Sequence, residues 1–303
     1  MRHISARVCA AVACATLAVS VAACGTSDPD PAAPVNGPEL YAALPPAPAA
    51  QPLPEPVPTS TVAPPTTTVV PTTPKPPKPP KPPKPEAAPA LQLPWRQVAG
   101  DEFNGAALDA SSWNTYDSIG GFDNGLRRTE AISVSDGTLK ITARGEVSGG
   151  MGHDFGQLHG RWEFRARTEP GRGLGSAVLL WPDSEQWPRD GEVDIMEVPG
   201  ENRDLAHFVL HWGEENNIHG GAVPGNFANW HTFAVEWLPD RITWFVDGVR
   251  QYENTDPEAI PKTPMHLTIQ LDMGPKTDWL PAPDATTPAE VSLEVDWVRV
   301  YAL

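Results

Sequence analysis

Period-two alternation of apolar and polar residues, repeated in five separate runs, constrains this chain more than any other feature. Leu139/Ile141/Ala143, Trp162/Phe164/Ala166, Phe233/Val235/Trp237, Ile242/Trp244/Val246 and Val291/Leu293/Val295/Trp297 each set apolar side chains two residues apart. Successive side chains of a strand point to opposite faces of its sheet, so each run offers one face to a core. Asp136-Gly137 and Asp247-Gly248 stand between such runs, and Asp-Gly is a favoured two-residue hairpin turn. No stretch keeps a helical period beyond one or two turns. Many short antiparallel strands separated by turns predict an all-β domain, either a sandwich or a barrel.

Glu192-Val-Asp-Ile-Met-Glu197 places three carboxylates within six residues of strand-like sequence. In a regular strand Glu192 and Asp194 share one face and Glu197 takes the other. A one-residue bulge at Ile195-Met196 returns Glu197 to the first face, and bulges are common beside active sites. The three acids then line one cleft. Two carboxyls about 5–5.5 Å apart across a glycosidic bond are what a retaining glycosidase uses. Crowding like charges raises the pKa of at least one of them and keeps a Glu protonated near neutral pH. A surface acid cluster or cation site is the alternative reading of the same residues.

The motif and its surroundings resemble glycoside hydrolase family 16, in its bulged Glu-x-Asp-x-x-Glu branch of laminarinase-like endo-β-1,3-glucanases. Trp187-Pro-Arg-Asp-Gly-Glu192 is similar to the family's approach to the acid strand, and Asp101-Glu-Phe-Asn-Gly105 to its opening strand. Gly160-Arg-Trp-Glu-Phe-Arg165, His207-Phe-Val-Leu-His211, the region from Trp230 to Gly248, and Val295-Asp-Trp-Val-Arg-Val-Tyr301 follow in family order.

The resemblance implies a two-sheet antiparallel β-sandwich, a concanavalin A-like jelly roll with its substrate cleft on the concave sheet. It further implies a retaining, endo-acting hydrolase of β-linked polysaccharide, by default a β-1,3-glucan or mixed-linkage glucan. Glu192 resembles the nucleophile and Glu197 the acid/base, with Asp194 hydrogen-bonded to the nucleophile. Asn124, Trp187 and His211 resemble substrate-contacting residues. A non-catalytic carbohydrate-binding envelope protein is one alternative, and a transglycosylase acting on envelope polysaccharide is another.

Other features qualify that reading. Trp162, Trp237, Trp244 and Trp297 fall on the alternating runs and are expected in the core, whereas Trp212 and Trp279 suit core or cleft equally. His207 and His211 share a strand face, but zinc patterns need further ligands that nothing nearby supplies, and no resident metal is expected at the acids. No cofactor is required; a structural calcium of the kind some family members carry would use Asp296, an oxygen ligand of the hard type that ion takes. Gly173-Leu-Gly-Ser-Ala177 stands where the resemblance leads one to expect a cleft tryptophan. Gly125, His159 and Asp272-Met-Gly-Pro275 also depart from the family pattern.

Composition divides the chain. Residues 1–23 carry Arg2 and Arg7, an apolar run, and the ending Val21-Ala-Ala-Cys24, which reads as a lipoprotein signal peptide. Cleavage before Cys24 implies lipidation of that thiol, a membrane partner, and export to the outer face of a bacterial cell membrane or beyond. Cys9 and Cys14 leave with the signal, so the mature chain has no internal disulfide. Residues 24–92 hold most of the chain's 37 prolines and form a Pro/Thr/Lys-rich tether; Lys75, Lys78, Lys81 and Lys84 repeat every third residue, in register with polyproline II. Residues 93–303 remain as one catalytic domain, expected to act as a monomer. Over residues 91–303, 16 Lys and Arg face 33 Asp and Glu. So acidic a domain lacks the basic footprint nucleic acid requires, and a neutral polymer suits it better.

Overall fold

The computed structural model describes residues 93–277 and 279–303. The signal peptide 1–23, Cys24 and the tether 24–92 lie outside the described residues.

Two antiparallel sheets form the sandwich that the alternation requires. The back sheet runs, in spatial order, Ile132–Ser135, Thr138–Arg144, Glu290–Ala302, Gly160–Thr168, His231–Leu238, Arg241–Val246 and Val249–Asn254. Arg96–Asp101 pairs with the C-terminal half of Glu290–Ala302. All five alternating runs fall on this back sheet. The front sheet runs Trp113–Thr115, Val147–Gln157, Met265–Met273, Leu174–Pro182, Glu192–Val198, Leu205–Trp212 and Asn217–Pro224. The acid motif lies in the middle of that sheet.

One apolar core fills the space between the sheets. Ile141, Phe164, Val178, Val193, Phe208 and Leu293 are all buried in it. Trp162 and Trp237 stack at 5.9 Å, and Phe164 and Phe233 at 5.5 Å. Of the four tryptophans expected in the core, Trp162, Trp237 and Trp244 are there, whereas Trp297 is buried outside it under Arg299, because a bulge after Val295 turns the core face to Val298. Offset aromatic pairs add about 0.5–1.5 kcal/mol beyond the area they remove from water.

Arg203 is completely buried behind the end of the acid strand. Its guanidinium donates to the carbonyls of Glu169 at 2.8 Å, Val198 at 3.0 Å and Gly200 at 3.0 Å. Those turns carry carbonyls with no ladder partner, and a guanidinium with five donors satisfies several at once. The acid strand is thereby fixed at its C-terminal exit.

Asp296, the candidate calcium ligand, is buried on Glu290–Ala302 with Oδ2 at 3.0 Å from Arg165 Nη1. A guanidinium already seated on that carboxylate does not fit a cation there. Among the described residues no cluster of three or more His, Cys, Asp or Glu side chains is arranged to hold a metal.

Candidate active site

The acid strand Glu192–Val198 carries the bulge. Along Leu174–Pro182, Leu179 faces Asp194 and Val178 faces Met196, so Ile195 is the extra residue. On the other side, Val209 faces Asp194 and His207 faces Glu197, which sets Phe208 alone against Ile195 and Met196. Ile195 and Met196 both enter the core. Glu192 and Glu197 consequently both line the cleft.

A carbonyl in a regular strand lies in the sheet and points to the neighbouring strand. At the bulge that ladder is disrupted, and the Asp194 carbonyl is taken instead by Trp244, whose Nε1 donates to it at 2.9 Å across the core. The back sheet thus holds the irregular point of the front sheet.

The cleft has a volume of about 1190 Å³ and crosses the front sheet. Its lining includes Trp181 stacked on Trp187, Lys276 over the Phe122 ring, and Trp279. Trp187 is 42% exposed and its Nε1 donates to Glu192 Oε2 at 2.7 Å. Asp194 is 1% exposed and exchanges a side-chain hydrogen bond with Glu192. Glu197 Oε2 has no hydrogen-bond partner among the described residues. His211 pairs in register with Glu192; its Nδ1 is 2.8 Å from Asn216 Oδ1 and its Nε2 is 3.7 Å from Asp194 Oδ2. With Nδ1–H donating to Asn216, Nε2 is the acceptor that faces the acids.

Burial pushes Glu192 and Glu197 each up to about 7. Burial also raises Asp194 well above the usual carboxylate range, and the charges of Glu192 and Glu197 raise it further. The Lys276 ammonium, 4.1 Å from the centre of the Phe122 ring, pulls all three back down. Burial holds His211 below its usual value, so it is neutral at neutral pH. Three acids therefore share fewer than three negative charges. The indole on Glu192 favours its ionised form, whereas Glu197 Oε2 lacks a comparable donor.

The structure brings together Glu192, Asp194, Glu197, Trp187 and His211 but leaves out Asn124. The Asn124 amide donates to the carbonyls of Phe122 at 3.0 Å and Pro275 at 2.9 Å. The first bond closes its own loop and the second ties that loop to the one at Pro275, and the neighbouring Phe122 lines the cleft instead. Trp279 lines the cleft with its edge on His207 at 4.5 Å, while Trp212 packs on the core and stacks on His219. Burial takes His207 down to about 4. His159 holds a left-handed turn with φ of 62° and packs on Trp237, away from the cleft. Asp272 pairs with Arg127 at 2.7 Å in the cleft wall.

Sequence reading missed Trp181, Asn216, Lys276 and the clamp by Trp244. Asp272-Met-Gly-Pro275 marks the Lys276 loop as unusual, yet nothing in it says that the next residue turns back over the acids. Trp181 closes an apolar strand and so looks like core.

Residues 123–299 match the family described as Glycosyl hydrolases family 16. The chain is 34% identical over 247 residues to a beta-glucanase of Rhodothermus marinus, covering 68% of this chain and 85% of that protein. It is 28% identical over 267 residues to glucan endo-1,3-beta-glucosidase A1 of Niallia circulans, covering 71% of this chain and 38% of that one. Among solved structures, the catalytic domain of an endo-1,3-beta-glucanase (laminarinase) from Thermotoga petrophila superposes with a TM-score of 0.64 at 26% identity, covering 69% of this chain and 98% of that one.

Proposed function

We propose, for a chain that belongs to the glycosyl hydrolases of family 16, that it cleaves a β-1,3-glucan within the chain by double displacement, with retention. The observation that carries this reading is the bulge. It sets Glu192 and Glu197 in one cleft with different surroundings, one carboxylate held by an indole and the other with Oε2 buried and without a partner among the described residues. Glu192 attacks the anomeric carbon as the glycosidic C–O bond breaks, and the proton on Glu197 passes to the leaving oxygen. Glu197, now ionised, takes a proton from water; the water oxygen attacks the same carbon and releases the Glu192 carboxylate. Asp194 donates to Glu192 and moderates its basicity. An open cleft lined by aromatic side chains suits the interior of a polymer, and the relatives named for 1,3-glucans make that linkage the first choice.

The test is to incubate the domain with β-1,3-glucan, mixed-linkage glucan and galactan and follow the anomeric protons by NMR. Release of β-anomer first, from internal bonds of the 1,3-glucan, is expected. Initial α-anomer, or cleavage of galactan alone, overturns the reading.

Trp244 supports the mechanism from the far side of the core. Trp244→Phe and Trp237→Phe remove the same volume from the same sheet, and each is expected to cost about 1–3 kcal/mol of stability. Trp237 Nε1 has no partner among the described residues, so only Trp244→Phe frees the bulge carbonyl. Displacing an acid by a fraction of an ångström is costly to a positioned reaction. Only Trp244→Phe is expected to lower kcat, by about tenfold or more, and more on polysaccharide than on an activated aryl glycoside. Equal kcat in the two folded variants would show that Trp244 merely fills the core.

The Val21-Ala-Ala-Cys24 ending leads us to propose export and a lipid anchor at Cys24, with the catalytic domain working as a monomer on its polysaccharide. Buried acyl CH₂ groups contribute about 0.8 kcal/mol each. Cys24→Ser is expected to move the protein from the membrane fraction or stop its maturation, and an unlipidated, soluble wild type would refute the anchor.

A further inference from the structure

We infer that Trp181 is a second sugar platform, which holds one further residue of a β-glucan chain beside the one at Trp187; the inference rests on the glucanase reading above. The strand Leu174–Pro182 turns Gly175, Ala177, Leu179 and Trp181 toward the cleft. The first three give no aromatic surface, and the tryptophan expected within Gly173-Leu-Gly-Ser-Ala177 is absent. Trp181, beyond that stretch on the same face, supplies the indole.

Its ring is set for the task. Trp181 and Trp187 lie 6.2 Å apart between ring centres and within 12° of parallel. Each indole N–H is fixed by a carboxylate, Trp181 by Glu185 Oε2 at 2.9 Å and Trp187 by Glu192 Oε2 at 2.7 Å. Both indole N–H groups are thereby held at the ring edge, and the two rings stack on one another, so the platform offered to a sugar is the face of Trp181 turned from Trp187. Trp181 is also the register partner of His266, whose Nδ1 is 2.8 Å from Asp183 Oδ1, and both of these line the cleft. A pyranose in a β-linked glucan has apolar C–H faces and a rim of hydroxyls. The indole suits the face, while Asp183, Glu185 and His266 offer donors and acceptors for the rim. The platform lies on the side of the acids toward Met265–Met273 and Val147–Gln157, so it lengthens the cleft in that direction.

The experiment measures kcat/KM on β-1,3-gluco-oligosaccharides of increasing length for the wild type, Trp181→Phe and Trp181→Ala, and binding of the same series by calorimetry in a Glu192→Gln background. Loss of one stacked ring is worth about tenfold. Trp181→Ala is expected to lower kcat/KM about tenfold on chains long enough to reach the platform and less than about twofold on the shortest chain cleaved, with Trp181→Phe restoring most of the difference. A uniform loss at all lengths, or none, overturns the platform and leaves the glucanase reading standing. If the wild type cleaves nothing in the series, the glucanase reading falls and the binding series decides. Length-dependent weakening by Trp181→Ala then supports the platform, whereas uniform weakening or no binding overturns it.

Discussion

Glu192→Gln is expected to abolish turnover of β-glucan, by at least the thousandfold typical of losing a group that makes and breaks the covalent bond. The change is close to isosteric, and Trp187 Nε1 can still donate to the remaining side-chain oxygen. What disappears is the attacking carboxylate. A folded but inactive protein is therefore the expected outcome, with oligosaccharide binding retained. Smaller side chains give a sharper result: Glu192→Gly, supplied with azide and an activated β-glycoside, leaves room for azide to attack the anomeric carbon directly. One displacement inverts the centre, so α-glycosyl azide is the expected product. Formation of β-glycosyl azide would assign a surviving nucleophile elsewhere and overturn the role of Glu192.

The same carboxylates act on stability with a definite sign. Both glutamates titrate in the fold at about 7, above their usual value of 4.5. The fold favours the protonated forms, so their stabilising contribution is complete below about 4.5 and is lost as pH rises through about 7. At pH 8 the native enzyme pays for holding charge in a half-buried site. Glu192→Gln is then expected to raise the melting temperature at pH 8, by on the order of 1–3 kcal/mol in stability, with little effect at pH 4. Unequal gains at the two pH values distinguish this from a simple packing effect.

How much of this was legible in the sequence follows from which faces are covered. The back sheet presents one face to the core, and its strands alternate cleanly, as Leu139, Ile141 and Ala143 do, whereas a bulge after Val295 passes the core face from Trp297 to Val298. The front sheet is covered on one face by the core and on the other by the cleft walls, so Leu174–Pro182 reads as nearly continuous apolar sequence and gives no hint that Trp181 faces outward. The bulge was legible because Ile195 and Met196 are consecutive core residues between acids, which a regular strand cannot accommodate. The place of Asn124 was not legible, because its amide bonds Pro275, 151 residues away in sequence. Lys276 was invisible for a similar reason, since it meets the acids from a loop far along the chain, whereas Asn216 reaches His211 from the local turn that follows the strand. Local pattern therefore identified the chemistry, and long-range contacts decided its surroundings.

Glu197→Gln is expected to separate substrates by leaving group. The natural polysaccharide leaves as a poor alkoxide unless a proton reaches its oxygen, and general acid assistance is typically worth about 10²–10⁴-fold. An activated aryl glycoside departs without that proton, so its first step is expected to survive nearly intact in the variant. The second step suffers instead, because water loses its base and the glycosyl–Glu192 intermediate accumulates. Azide, which needs no deprotonation, should attack that intermediate, release the Glu192 carboxylate and give β-glycosyl azide with retained configuration. The alkaline limb of the pH–rate profile carries the same signature. In the wild type, activity should fall as pH rises through about 7 and Glu197 loses its proton; in Glu197→Gln on the aryl glycoside that fall should vanish. A variant that loses the same factor on both substrates, keeps the alkaline limb and ignores azide would exclude Glu197 as the acid/base and move that role to Asp194, the third carboxyl on the same face.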